Sequence, residues 1–134
     1  MRIKLDEGAK APTKGTEGSA CYDLYSNEEV VIKTGHVGMI GTGVFMEIPR
    51  GYCGIISHRS SMNKRGVIEY GTIDSDYRGE VKGLVFNGGC IPYVCRRGER
   101  IGQIRFCKTE TTDFEVVEEL TKTQRDGGFG STGI

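Results

Sequence analysis

The sequence predicts an all-β domain, a sandwich or barrel of short strands, and three observations carry that expectation. Apolar and polar residues alternate at period two in brief runs, the pattern of half-buried strands. Gly supplies 21 of the 134 residues and Pro only three, so turns are frequent and strands short. Only two stretches, 60–65 and 113–120, admit a helical reading. A chain of this length makes one domain and buries roughly two thirds of its unfolded surface.

Taken in order, the first strand-like run is Val30-Val31-Ile32. In Val44-Phe45-Met46-Glu47-Ile48 the residues Val44, Met46 and Ile48 share one face. Pro49-Arg50-Gly51 then turns into Tyr52-Cys53-Gly54-Ile55-Ile56-Ser57. Residues 60–65 suit a single helical turn, with Ser60 or Ser61 as an ordinary N-cap. Two further strands are expected in Val81-Lys82-Gly83-Leu84-Val85-Phe86 and Ile101-Gly102-Gln103-Ile104-Arg105-Phe106. Segment 113–120 reads equally as helix or strand. The barrel domain is expected to span 1–124, followed by a mobile Gly-rich tail at 125–134.

Composition excludes several functions. Eighteen basic residues cancel eighteen acidic ones, so direct nucleic-acid binding and docking on anionic lipid are not expected. No stretch has the apolar length of a membrane span, and Met1-Arg2-Ile3-Lys4-Leu5-Asp6 lacks a signal-peptide apolar region, so no export is expected. Five irregularly spaced cysteines suit reduced thiols and a soluble, cytoplasmic chain. Cys90 and Cys95 lack C-x₂-C spacing and there are only two histidines, which argues against structural zinc. No phosphate-binding loop of the G-x-x-x-x-G-K-[ST] type occurs.

Three segments could carry chemistry. Gly71-Thr72-Ile73-Asp74-Ser75-Asp76-Tyr77-Arg78-Gly79-Glu80 places Asp74 at a strand end. It reads either as a solvated turn or as a carboxylate held to orient a water. His58-Arg59-Ser60-Ser61 offers a guanidinium fork and two hydroxyls for an anion. The tail Arg125-Asp126-Gly127-Gly128-Phe129-Gly130-Ser131-Thr132-Gly133-Ile134 reads as a frayed end or as a phosphate wrap with an aromatic for base stacking. Composition leaves both readings open.

In this order the segments resemble the five motifs of the trimeric dUTPases (deoxyuridine triphosphate nucleotidohydrolases). The first is Gly18-Ser19-Ala20-Cys21-Tyr22-Asp23-Leu24-Tyr25-Ser26, and the second runs from Pro49-Arg50-Gly51-Tyr52 to Arg59-Ser60-Ser61. The third is the Asp74 segment, the fourth Gly98-Glu99-Arg100-Ile101-Gly102-Gln103, and the fifth Gly127-Gly128-Phe129-Gly130-Ser131-Thr132-Gly133. Together they cover nearly the whole chain. Cys21 stands where the family usually has Gly, the 66–71 hairpin is shorter than usual and lacks an Asn, and Arg125 lies one residue nearer Phe129. The dCTP deaminases share the fold and the Arg-Ser-Ser stretch but depart from the Asp74 motif, which is intact here.

The resemblance implies a jelly-roll-like β-barrel, a homotrimer with sites at subunit interfaces, and Mg²⁺-dependent hydrolysis of dUTP to dUMP and diphosphate. That activity keeps uracil out of DNA and supplies dUMP for dTMP synthesis. It further implies that Asp74 activates the attacking water and that Gln103 helps place it. Thr72, Ile73 and Tyr77 would line the nucleoside site, with Lys82 near the substrate. Arg59, Ser60 and Ser61 would contact phosphates, and Asp23 would hold water ligands of the magnesium. Phe129 would stack on uracil, with Arg125, Gly130, Ser131 and Thr132 around the substrate.

Overall fold

The computed structural model describes residues 1–124; the fifth motif, with Arg125, Phe129, Gly130, Ser131 and Thr132, lies outside the described residues. Nine strands form: β1 (Arg2–Leu5), β2 (Tyr22–Tyr25), β3 (Val30–Ile32), β4 (Val37–Glu47), β5 (Tyr52–Ser57), β6 (Val67–Ile73), β7 (Glu80–Asn87), β8 (Tyr93–Cys95) and β9 (Arg100–Lys108). One short helix, α1 (Ser60–Asn63), separates β5 from β6. The larger sheet has the order β1-β4-β7-β6-β5-β9-β2 and curls into a jelly-roll-like half-barrel, while β3 and β8 pair separately. Every paired strand runs antiparallel to its neighbour. The expected strands are all present.

Alternation explains the packing. Val44, Met46 and Ile48 all point inward, joined in the core by Leu24, Ile40, Ile56, Val81, Val85, Ile101 and Ile104. Met62 anchors α1 to the same core. Asn87 ties the two sheets together. Its buried amide donates to the carbonyls of Ile32 (3.0 Å) and Ile91 (2.9 Å) and accepts from the Gly89 N–H (3.0 Å). Such a satisfied polar group fixes register where apolar contacts alone would slide.

In β4 the ladder to β7 breaks between Gly41 and Val44, a bulge with Gly43 at φ +65°. Left-handed backbone there suits glycine. The Thr42 hydroxyl turns inward to the Val81 carbonyl, and the Gly43 N–H donates to Glu80 Oε1 (2.8 Å). Segment 113–120 is neither helix nor strand, and Phe114, Val116 and Leu120 are exposed. Its apolar alternation therefore meets no packing surface among the described residues. A second apolar surface lies on the outer face of β4, β7 and β6. Val37 stands opposite Phe86, Met39 opposite Leu84, and Ile68 opposite Phe86, all exposed, with Met39 at 62% and nearby Tyr70 at 66%.

Candidate active site

Two clefts gather the residues singled out in the sequence. The first, about 290 Å³, is lined by Met39, Thr72, Ile73, Asp74, Tyr77, Glu80 and Lys82. Asp74 directly follows β6, and its carbonyl accepts the Tyr77 N–H (3.2 Å), so a tight turn sets the carboxylate beside the ring. The Tyr77 hydroxyl donates to the Glu80 carbonyl (3.0 Å). That fold-back needs Gly79, because a Cβ there would collide with the phenol. Lys82 pairs with Glu80 at 3.3 Å, and the β4 bulge holds the other oxygen of Glu80. A bulge in the neighbouring strand thus orients the ammonium of Lys82.

The second cleft, about 450 Å³, is lined by Gly15, Ser19, Ala20, Cys21, Asp23, Arg59, Ser60, Arg100 and Gln103. Gln103 in β9 stands opposite Asp23 on one side and Ser57 on the other. Its amide nitrogen donates to the His58 carbonyl (3.2 Å) and to Ser57 Oγ (3.4 Å), which leaves the amide oxygen outside those bonds. Asp23 sits between two guanidinium groups, Arg59 at 3.0 Å and Arg100 at 3.2 Å. Two cations around one carboxylate leave a net positive lobe, which suits a polyanion.

Ser60 reaches this cleft, whereas Ser61, exposed in α1, is not among the lining residues. Neither serine caps α1. Arg59 occupies the N-cap position in an extended conformation (φ −83°, ψ 152°) without a side-chain cap, since a guanidinium has no acceptor for the helix N–H groups, and it pairs with Asp23 instead. Arg100, Glu80 and Ser19 join the clefts without having been singled out; all three lie inside quoted motifs, and the roles of Arg100 and Glu80 become visible only through pairing.

Among the described residues no cluster of three metal-ligating side chains occurs. Asp23 is the carboxylate of the cationic cleft. This donor set fits Mg²⁺ carried on substrate phosphates, which requires only one or two protein carboxylates beyond its waters. Burial pushes the Cys95 thiol up, so that cysteine is a poor nucleophile. No helix among the described residues is long and apolar enough to cross a membrane.

The dUTPase family model matches residues 7–133. The chain is 42% identical over 134 residues to the deoxyuridine 5'-triphosphate nucleotidohydrolase of Paramecium bursaria Chlorella virus 1, covering 98% of this chain and 95% of that protein. It is 39% identical over 137 residues to the enzyme of the same name from Corynebacterium glutamicum, covering 98% and 92%. Its fold is similar to that of the Staphylococcus bacteriophage 80alpha dUTPase with dUPNHPP, at a TM-score of 0.92, 26% identity, and coverage of 99% and 98%. It is also similar to a dUTPase of phage phi11 of S. aureus, described with a structural Mg(II) ion, at a TM-score of 0.81 and 24% identity over 88% and 96% of the two chains.

Proposed function

The chain belongs to the dUTPase family and is a dUTP diphosphatase, and on that premise we propose that it cleaves dUTP between the α- and β-phosphates at a composite, magnesium-assisted site. The observation that carries this reading is the division of labour between the clefts. One presents Asp74, Tyr77 and Lys82, suited to a nucleoside and its reacting phosphate, and the other presents Arg59, Ser60, Arg100 and Gln103, suited to a polyphosphate.

In the proposed reaction Asp74 accepts a proton as a water oxygen bonds to the α-phosphorus. The bridging α–β P–O bond breaks, and its electron pair leaves on the diphosphate. Gln103 holds the water through its amide oxygen, and Tyr77 packs beneath the deoxyribose. Arg59, Ser60, Ser61 and Arg100 bind phosphate oxygens. Asp23 would hold magnesium through that ion's waters, and the ion supplies charge neutralisation on the triphosphate. From the tail, Phe129 stacks on uracil, while Arg125, Gly130, Ser131 and Thr132 close over the substrate and exclude water.

Asp74 and Gln103 line different clefts, and in this reading one site draws on more than one chain of a homotrimer. The apolar outer face of β4, β7 and β6 supports this assembly, since Met39, at its edge, also lines the Asp74 cleft. The exposed side chains of Phe114, Val116 and Leu120 support it too, as apolar surface that another copy would cover. Five free cysteines agree with a reducing cytoplasm. The direct test supplies each deoxynucleoside triphosphate with Mg²⁺ and measures diphosphate and ammonia. Diphosphate from dUTP alone is expected; ammonia from dCTP would make the protein a deaminase.

A further inference from the structure

Glu69 is the one charged residue in the buried core of the described residues, only 1% exposed. It projects inward from β6 between Val67 and Gly71, and neither carboxyl oxygen meets a hydrogen-bond partner. Two glycines make room for it. A Cβ on Gly83 in β7 would strike Oε1, and a Cβ on Gly102 in β9 would strike Oε2, with Ile101 closing one side. The carboxyl is therefore wedged between the strands that carry the two clefts.

Those glycines adjoin site residues. Gly83 follows Lys82, and Gly102 precedes Gln103. A third link runs through the backbone of Glu69 itself. Its carbonyl accepts the His58 N–H (3.0 Å), and the His58 carbonyl accepts the Gln103 amide (3.2 Å). Glu69 thus touches both clefts from behind while lining neither.

The surroundings require an uncharged carboxyl, because an isolated ion in such a slot loses its hydration without recovering a partner. On the flanking strands Lys82 and Glu80 of β7 pair with each other and Arg100 of β9 pairs with Asp23, while Arg105 and Lys108 of β9 are exposed to solvent. β5 carries no charged side chain, and Glu69 is the only one on β6. Burial alone pushes the Glu69 carboxyl up to about 8.

We propose that Glu69 is a positioning residue, whose uncharged carboxyl spaces β7 and β9 at Gly83 and Gly102 so that Lys82 and Gln103 are presented correctly, and whose ionisation displaces both. The inference rests on the hydrolase reading above, and its consequence is an alkaline limit on turnover set inside the core rather than at the reacting atoms. Diphosphate release from dUTP, followed from pH 6 to 9.5 at saturating substrate and Mg²⁺, reads it out. Circular dichroism across the same range shows that the protein stays folded. A single ionisation near pH 8 leaves the wild type about a tenth of its plateau turnover at pH 9. Glu69→Gln, neutral and nearly isosteric, keeps the pH 7 rate within about twofold and loses this alkaline limb.

A second readout needs no turnover. The ¹³C shift of the Glu69 carboxyl titrates near pH 8 in wild-type protein, and the Lys82 and Gln103 amides shift with the same midpoint, but not in Glu69→Gln. A carboxyl titrating below pH 6, static Lys82 and Gln103 amides, or an unchanged alkaline limb in Glu69→Gln overturns the proposal. A wild type inactive on dUTP strikes the hydrolase reading instead, and the amide titration still decides the role of Glu69.

Discussion

Asp74 and Gln103, which the family resemblance assigns to a single water, line two different clefts of one chain. Asp74 caps the end of β6 in a turn, whereas Gln103 lies within β9 with Asp23 and Ser57 opposite on its neighbouring strands. The proposed trimer would bring the two side chains to a common substrate from separate copies of the chain.

Asp74→Asn preserves the turn and the size of the side chain but removes the base. Turnover should fall at least ~10²-fold, while thermal stability and dUPNHPP affinity remain near wild type. Steady-state rates alongside calorimetric binding check this. Unchanged turnover removes Asp74 from the chemistry.

Asp23→Asn leaves the guanidinium groups of Arg59 and Arg100 facing each other without their shared carboxylate. The cost in stability should be about 1–3 kcal/mol, because Asp23 and Arg59 are largely buried while Arg100 is half exposed. The Mg²⁺ concentration for half-maximal rate should rise severalfold. A magnesium titration identical to wild type would detach Asp23 from the ion.

Stability should also depend on pH through Glu69. Its folded pKa lies near 8, above the ordinary value of 4.5, so the folded state holds the proton more tightly than the unfolded chain. The favourable term is complete below pH 4.5, declines by up to ~1.4 kcal/mol per pH unit between 4.5 and 8, and levels off beyond. Urea denaturation at pH 5, 7 and 9 should therefore show a shallower decline for Glu69→Gln than for wild type. Parallel declines contradict the assignment.

Much of the fold was legible because alternation reports burial directly. Val44, Met46 and Ile48 shared a face in the sequence and share the core in the structure. Segment 113–120 was ambiguous for the same reason: Phe114, Val116 and Leu120 carry an apolar pattern that one chain leaves exposed. The family resemblance singled out Asp74, Tyr77, Asp23 and Gln103, yet it did not divide them between clefts, since that depends on strand order. The paired roles of Arg100 and Glu80 needed cross-strand register and a bulge at Thr42 and Gly43. Glu69 gave no signal at all. A glutamate among alternating residues looks like a solvated face until Gly83 and Gly102 are seen to open a slot beneath it.

Removal of residues 126–134 should leave the thermal midpoint within a few degrees of wild type and reduce turnover strongly, because Phe129 is the one aromatic side chain of that segment. Stacking on a base contributes roughly 1–3 kcal/mol. Phe129→Trp should retain activity and change fluorescence on adding dUPNHPP, with no other Trp to interfere. Full turnover after truncation excludes the tail from the site.

The most direct test of the composite site is complementation. Asp74→Asn damages one cleft and Arg59→Ala the other, so each variant alone should be nearly inactive. Coexpressed in equal amounts, they form mixed trimers in which one site of three pairs an intact Asp74 with an intact Arg59 from its neighbour. Random assembly then restores about a quarter of wild-type turnover per chain. A mixture as inactive as its parents would place both clefts' chemistry within a single chain and contradict the account.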